Sequence, residues 1–184
     1  EMLLRMKETG VYAFTVGIES GSDPILQAMK KGLTTDFIRR QVTLIAECGL
    51  EPSGFFILGF PGETRGDMEA TLRFSRSLPL VRAHFSNYLP LPGTESTREL
   101  YERGEVQPGN WDALAYYETP YAPEGMTPSG LKKIQRKAFL RFYLRPRILL
   151  RLVLEVQSLR HLRGLVRRAR DYLLSRDRKE TFLT

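Results

Sequence analysis

Polar and charged residues follow three apolar segments of the sequence, each time beside a glycine. The three stretches are GIESGSD at residues 17 to 23, GFPGET at 59 to 64 and YLPLPGT at 88 to 94. A glycine lets the backbone approach a flat ligand closely because no Cβ intervenes. Glu19 and Ser20 can exchange hydrogen bonds with ribose hydroxyls or with an amine. The three stretches are therefore candidate parts of a ligand site.

The segments that precede these stretches are predicted to be buried strands. Residues 11–20, 53–59 and 84–89 are rich in β-branched and aromatic residues, which is typical of parallel sheets. Residues 33–49 and 63–79 between them predict helices, with Thr34 and Thr64 as N-caps. Alternating strands and helices predict half of an α/β barrel or an open parallel sheet. In both folds, ligands bind at the carboxyl ends of the strands.

The second stretch also has a simpler explanation. The Gly-Phe-Pro-Gly segment forms an adequate turn, with Pro61 and Gly62 in the central positions. Thr64 is explained as a helix cap, and Glu63 as a favourable charge at a helix N-terminus. What favours a ligand site is the repetition of the pattern at three successive strand ends.

Taken together and in this order, the motifs VGIESGSDPILQAMKKGLT, FFILGFPGET and YLPLPGTE closely resemble the C-terminal half of the radical S-adenosylmethionine (SAM) barrel. They are most similar to the branch that carries an upstream cobalamin-binding domain. The resemblance covers about residues 1 to 100. It implies an α/β fold, a partial (β/α) TIM-like barrel, which a C-terminal helical extension would follow. In that family a CxxxCxxC loop holds a 4Fe-4S cluster, and SAM bound to it yields a 5′-deoxyadenosyl radical or supports methyl transfer.

The resemblance also implies roles for individual residues. Those expected to bind the cofactor are Glu19 and Ser20 near the ribose and methionine groups, Ile57 against adenine, Gly59 for close approach, and Glu63, which orders the following turn. Those expected to face the substrate are Tyr88, Pro90 and Thr94, in the loop after the last strand. The resemblance assigns no catalytic residue in this chain.

The sequence contains one cysteine, Cys48, so this chain cannot supply the three cluster cysteines. We therefore assign it no metal ligand and expect the cluster ligands to lie outside it. Without those cysteines, the chain alone is expected to be inactive. The sequence opens at Glu1 in what reads as the end of a helix, which predicts a fragment. The resemblance leaves open whether a cobalamin domain lies upstream.

Composition and charge divide the chain into a body and a tail. Of 184 residues, 42% are hydrophobic and 27% charged, as in a globular domain. The net charge is −5 over residues 1–128 and +12 over residues 129–184. Neither a membrane-spanning run nor a signal peptide is recognised, which favours the cytoplasm. We predict a half-barrel at 1–110, an aromatic, Pro/Gly-containing loop or linker at 111–126 and a basic amphipathic helical tail at 127–184.

The tail and the substrate each leave alternatives open. The tail's arginines are either a solvated face or a peripheral contact with an anionic membrane, and nucleic acid is disfavoured because no exposed aromatics interleave with them. The resemblance allows a small-molecule, lipid, tetrapyrrole or peptide substrate. One rival function is a tRNA-modifying methylthiotransferase of the same superfamily. Another is a non-catalytic half-barrel that binds a nucleotide-like ligand or a protein partner.

Overall fold

A computed structural model describes residues 1–106, 121–154, 163–164 and 167. The chain divides into two compact units, Glu1–Phe142 and Tyr143–Thr184. Strands and helices alternate along the first unit. Its elements are α1 (Met2–Glu8), β1 (Ala13–Glu19), α2 (Asp23–Ala28), α3 (Thr35–Glu47), β2 (Glu51–Leu58), α4 (Arg65–Ser77), β3 (Arg82–Asn87), α5 (Glu95–Glu102) and α6 (Pro128–Tyr143), which ends at the unit boundary.

The three strands form one parallel sheet in the order β1-β2-β3. Thr15 lies opposite Ser53, and Ser53 lies opposite Arg82. Each strand is joined to the next through helices, as parallel pairing requires, because a short turn cannot reverse the chain direction twice. The predicted α/β fold with a partial barrel is confirmed, and the carboxyl ends of all three strands meet at one edge.

The core lies on the face of the sheet from which Phe56, Leu58 and Phe85 project. These side chains are buried, and the rings of Phe56 and Phe85 stack 5.2 Å apart. Both α3 and α4 contact β2. They contribute apolar faces at helical spacing, namely Ile38, Val42 and Ile45 from α3, and Met68 and Leu72 from α4. Burying each large side chain contributes about 1.5 to 3 kcal/mol, which anchors the strand ends.

The helix starts follow the sequence closely, with one exception. Thr34 and Thr64 are N-caps as predicted, and Thr64 forms a capping box with Asp67. Helix α2 was not expected, because its six residues are too few to show a periodic pattern. It begins after Ser22, with a proline in its first turn.

The helical tail is confirmed in part. Leu131, Ala138 and Phe142 form the buried stripe of α6, and Pro146 begins a separate helix, α7 (Pro146–Leu154), in the second unit. Most of the predicted tail beyond residue 154 lies outside the described residues, as does most of the loop at 111–126, so the domain boundaries stay predictions. Among the helices that the structure describes, none is both long and apolar enough to cross a membrane.

Candidate functional site

The end of β1 has an unusual backbone conformation at Glu19. Its φ angle is +68°, in the left-handed region that non-glycine residues seldom adopt. A register irregularity against β2 falls between Gly17 and Glu19, and the Ser20 amide donates back to the Ile18 carbonyl over 2.9 Å. A left-handed residue of this kind costs about 1 kcal/mol or more. The surrounding structure must therefore hold Glu19 in place.

The Glu19 carboxylate lies over Gly17 and pairs with Lys31. A Cβ at Gly17 would overlap Oε1 of Glu19, so glycine makes room for the carboxylate on the sheet. The Lys31 ammonium donates to the same Oε1 over 3.0 Å, and the side chains of Lys31 and Glu19 are 31% and 19% exposed. The result is a partly buried pair of opposite charges at the carboxyl edge of the sheet.

Sequence reasoning identified Glu19 but missed Gly17 and Lys31. An isolated glycine in a strand indicates a close approach, and that signal was available at Gly17. No signal distinguishes Lys31 from Lys30, which pairs instead with the exposed Glu95. Only the path of the turn after α2 brings Lys31 back to the strand.

Ser20 is fully buried, and its hydroxyl is directed toward α4. Its Oγ lies 3.1 Å from Oγ1 of Thr71, and the Ser22 amide donates to the same Oγ over 3.1 Å. The hydroxyl of Ser20 is thus hydrogen-bonded within the protein. Its expected place near the ribose and methionine groups stays a prediction.

At the end of β2, Glu63 closes a tight turn from within the core. Its Oε2 accepts hydrogen bonds from the amides of Gly59 over 2.5 Å and Phe60 over 3.1 Å, and the residue is 2% exposed. The predicted role in ordering this turn agrees with that geometry. Oε1 is buried and has no hydrogen-bond partner among the described residues.

Burial raises the pKa of Glu63 to about 7. The two amide donors act in the opposite direction because they favour the charged form, and the nearby charge of Asp67 adds to the rise. Glu63 therefore titrates near neutral pH, unlike a solvent-exposed glutamate.

The two positions expected to contact adenine have neighbours within the chain. Gly59 has a φ of +82°, and a Cβ on it would overlap Cδ2 of Leu131 from α6. Ile57 is half-buried and packs against the cluster of Tyr88, Leu100 and Tyr121. Leu131 of α6 therefore occupies the space beside Gly59. Contact of either residue with adenine stays a prediction.

At the end of β3 the side chain of Tyr88 is enclosed, whereas that of Glu19 at the end of β1 is partly exposed. Tyr88 is 7% exposed, its ring meets those of Phe60 and Tyr121 edge-on, and its hydroxyl lies 2.9 Å from Oγ of Ser96. Pro90 is buried as well, whereas the exposed Thr94 caps α5 by accepting from the Thr97 amide. Contact of these residues with a substrate stays a prediction.

The donor set of this chain does not fit a 4Fe-4S cluster. The sequence has only Cys48, which is partly exposed at the C-terminal end of α3. Within residues 1–106 and 121–154, no three His, Cys, Asp or Glu side chains are grouped as metal ligands. The charged groups at the carboxyl edge of the sheet are Glu19 and Lys31, one of each sign.

The fold is a parallel half-barrel with polar groups at its carboxyl edge, the edge at which α/β-barrel proteins bind their ligands. The sequence profile of the Radical SAM superfamily matches residues 1–75. Over these residues the chain is similar to the radical SAM superfamily.

Two relatives and one solved structure illustrate the relationship. An uncharacterized methyltransferase of Pyrococcus horikoshii is 34% identical over 165 residues, which cover 88% of this chain and 36% of that protein. The tRNA-2-methylthio-N(6)-dimethylallyladenosine synthase of Paracoccus denitrificans is 38% identical over 98 residues, 52% of this chain and 21% of that protein. This chain thus spans about a third of the first relative's length and a fifth of the second's.

The structural comparison concerns the fold alone. Coproporphyrinogen III oxidase of Escherichia coli, described as a radical SAM enzyme, superposes with a TM-score of 0.54 at 16% sequence identity. The match covers 77% of this chain and 28% of that enzyme. It supports the partial barrel.

Proposed function

We propose that this chain binds the methionine end of SAM as part of a radical SAM methyltransferase. The observation that carries the proposal is the ion pair of Glu19 and Lys31 at the carboxyl edge of the sheet. An α-amino acid also bears one ammonium and one carboxylate, both attached to its α-carbon. The carboxylate of Glu19 complements the first, and the ammonium of Lys31 complements the second.

Partial burial makes this pair suitable for binding. Charges shielded from water attract a ligand more strongly than fully solvated charges, because the local dielectric constant is lower. In the described structure the two groups neutralise each other, so neither is left as an isolated buried charge. A zwitterionic ligand can insert between them and leave each group paired.

Methyl transfer is favoured by the relative from Pyrococcus horikoshii, a methyltransferase aligned over 88% of this chain. When bound to a 4Fe-4S cluster, SAM supplies a 5′-deoxyadenosyl radical or, with cobalamin, a methyl group. We place the cluster ligands and any cobalamin domain outside this chain, which alone would be inactive. Within the chain, Glu19 holds the amino group, Ile57 and Gly59 border the adenine, and Glu63 keeps the β2 turn closed.

The test is SAM binding to the full-length protein, reconstituted anaerobically and measured by equilibrium dialysis. Glu19→Gln should weaken binding about 30-fold or more, because it removes the charge that faces the amino group. The matched control is Glu99→Gln, which breaks an exposed ion pair with Arg103 and should leave affinity within about twofold. Equal affinities for wild type and Glu19→Gln would refute the proposal.

The similarity to the tRNA methylthio synthase supports a second candidate, tRNA modification. The two candidates differ in product. Nucleosides from bulk tRNA of cells with and without the gene should show the same content of methylthiolated adenosine if the protein is a methyltransferase for another substrate. Loss of that nucleoside would instead establish the tRNA function. No binding of SAM by the full-length protein would favour a non-catalytic half-barrel.

For the tail, we propose a peripheral contact with an anionic membrane. Helix α7 has four exposed aliphatic side chains, Leu149, Leu150, Val153 and Leu154, and Arg147 lies on the same helix. Apolar side chains that enter the lipid interface, next to arginines near its phosphates, are the usual composition of a surface-binding helix. The charge of +12 over residues 129–184 complements an anionic surface.

Co-sedimentation with vesicles of phosphatidylglycerol and phosphatidylcholine tests the membrane contact. We expect binding at low salt, loss of binding with phosphatidylcholine alone, and a several-fold reduction for Leu150→Glu. Leu44→Glu changes another exposed leucine, on α3, and serves as the control. Equal binding of the two variants would exclude α7 as the contact.

A further inference from the structure

Two side chains of α4 bind the loop that follows Glu19. Oγ1 of Thr71 accepts from the Gly21 amide over 2.9 Å and lies 3.1 Å from Oγ of Ser20. One turn earlier, Oδ1 of Asp67 accepts from the Ser22 hydroxyl over 2.7 Å. These side chains of Ser20, Ser22, Asp67 and Thr71 form a single group, which we name the β1–α4 network.

The hydroxyl hydrogens of Thr71 and Ser20 both have a hydrogen-bond acceptor. The Thr71 hydroxyl donates to the Asp67 carbonyl over 3.1 Å, so the shared hydrogen between Thr71 and Ser20 must come from Ser20. Ser20 accepts in turn from the Ser22 amide. Ser20 and Thr71 are both fully buried, so removal of one hydroxyl would leave polar groups without water.

The loop also lies against α4 without space for a side chain. A Cβ on Gly21 would lie 2.6 Å from Cβ of Phe74 and 2.7 Å from Cα of Thr71. Contact with the Thr71 backbone cannot be relieved by rotation of a side chain. The backbone on the C-terminal side of Glu19 is thus fixed by packing and by hydrogen bonds to the same helix.

We infer that Thr71 and Asp67 are positioning residues that hold Glu19 in the conformation that binds SAM. Neither residue needs to touch the ligand. The backbone of Glu19 has a left-handed conformation, so the direction of its carboxylate depends on the position of the next residue, Ser20. Thr71 holds Ser20 in that position through the hydrogen bond between their hydroxyls. Asp67 adds a second attachment through Ser22, and its other oxygen closes the capping box with Thr64. This inference rests on the proposed role of Glu19.

The first test compares three variants of α4 in the full-length, anaerobically reconstituted protein. Thr71→Val keeps the shape and removes the hydroxyl, and should weaken SAM binding about tenfold. Thr71→Ser restores the hydroxyl and should recover most of the affinity. Ser75→Ala removes another buried hydroxyl of α4, one that donates only to the Leu72 carbonyl, and should leave affinity within about twofold.

A double-mutant cycle with Glu19→Gln separates positioning from general loss of structure. If Thr71 acts through Glu19, Thr71→Val should lower affinity by less than about twofold when Glu19 is already Gln. An unchanged tenfold loss in that background would overturn the inference. Glu19→Gln alone decides the proposed function, so the two failures are distinguishable.

Amide hydrogen exchange provides a readout that does not depend on the cofactor. Thr71→Val should accelerate exchange at Gly21 and Ser22 at least tenfold, whereas Ser75→Ala should not. Should Thr71→Val fail to fold, Ser22→Ala removes only the attachment to Asp67 and takes its place in the same cycle. A Ser22→Ala protein with wild-type affinity and exchange would then refute the inference.

Discussion

The ends of β1 and β3 both carry residues that the family resemblance assigned to a site, but these residues differ in exposure and in their partners. At the end of β1, Glu19 keeps a charged group partly exposed and opposite Lys31, while hydroxyls behind it fix the backbone. At the end of β3, Tyr88 is enclosed by aromatic rings and its hydroxyl is bonded within the chain. The end of β1 therefore has charged groups that remain partly exposed, whereas the end of β3 contributes an aromatic ring to the core.

The largest effect should come from Tyr88→Ala. Removing a buried aromatic ring leaves a cavity and should lower the free energy of unfolding by about 3 to 5 kcal/mol, with Tyr88→Phe costing about 1 kcal/mol. SAM affinity of Tyr88→Phe should stay within about twofold, because that variant keeps the ring against which Ile57 packs. Denaturant unfolding and dialysis measure the two, and Tyr12→Phe, at an exposed tyrosine, is the control. A Tyr88→Phe protein of normal stability that binds substrate poorly would instead place Tyr88 at the substrate.

Glu63, between these two ends, should make stability depend on pH. Its pKa is about 7 in the folded state and near the ordinary 4.5 in the unfolded state. Between pH 4.5 and 7 the folded protein therefore keeps Glu63 protonated, whereas the unfolded chain releases that proton. Stability is therefore greatest at low pH in this window and falls as pH rises, by about 2 to 3 kcal/mol from pH 5 to 8. Glu63→Gln should remove most of this slope.

The control for Glu63 is Glu69→Gln. Lys137 and Arg141 hold the pKa of Glu69 below its usual value, so it titrates below the same window. Urea unfolding of the three proteins across pH 5 to 8 gives the slopes. Equal slopes for wild type and Glu63→Gln would show that Glu63 is ionised throughout.

Lys30 and Lys31 provide a matched pair at the end of β1. Lys31→Met should weaken SAM binding about 30-fold, because Glu19 loses its partner and the ligand loses a cation. Lys30 pairs with the exposed Glu95, so Lys30→Met should change affinity less than about twofold. Similar losses for the two variants would indicate a general effect of positive charge.

The smallest effects come from two helix caps. Thr64→Ala and Thr94→Ala each remove an N-cap and should each lower the free energy of unfolding by about 1 kcal/mol. Of the two hydroxyls, only that of Thr64 donates to Asp67 of the β1–α4 network, so only Thr64→Ala should also weaken SAM binding, by about two- to threefold. Thermal melts and dialysis test this, and a weaker SAM complex in Thr94→Ala would remove the contrast between the strand ends.

The sequence predicted those features that arise from neighbouring residues. The caps at Thr34 and Thr64, the three strands and the parallel fold depend on local patterns, and all are present. The role of Glu63 in ordering its turn came instead from the family resemblance, although its hydrogen bonds reach only three or four residues along the chain.

The rest of the candidate site depends on contacts between distant residues. Thr71 lies 51 positions from Ser20, and Asp67 lies 45 positions from Ser22. Nothing in a serine or a threonine indicates such a partner. The burial of Tyr88 likewise depends on Tyr121, which packs on it from beyond α5. Sequence patterns thus located the strand ends, and tertiary packing determined which of their side chains remain accessible.

The most direct measurement compares ligands that differ only at the amino acid. S-adenosylhomocysteine carries the zwitterion, and 5′-methylthioadenosine has the same adenosine and sulfur without it. Binding of both to full-length wild type, Glu19→Gln and Lys31→Met should show large losses for S-adenosylhomocysteine and changes within about twofold for 5′-methylthioadenosine. Equal losses for both ligands would contradict the assignment of Glu19 and Lys31 to the methionine end.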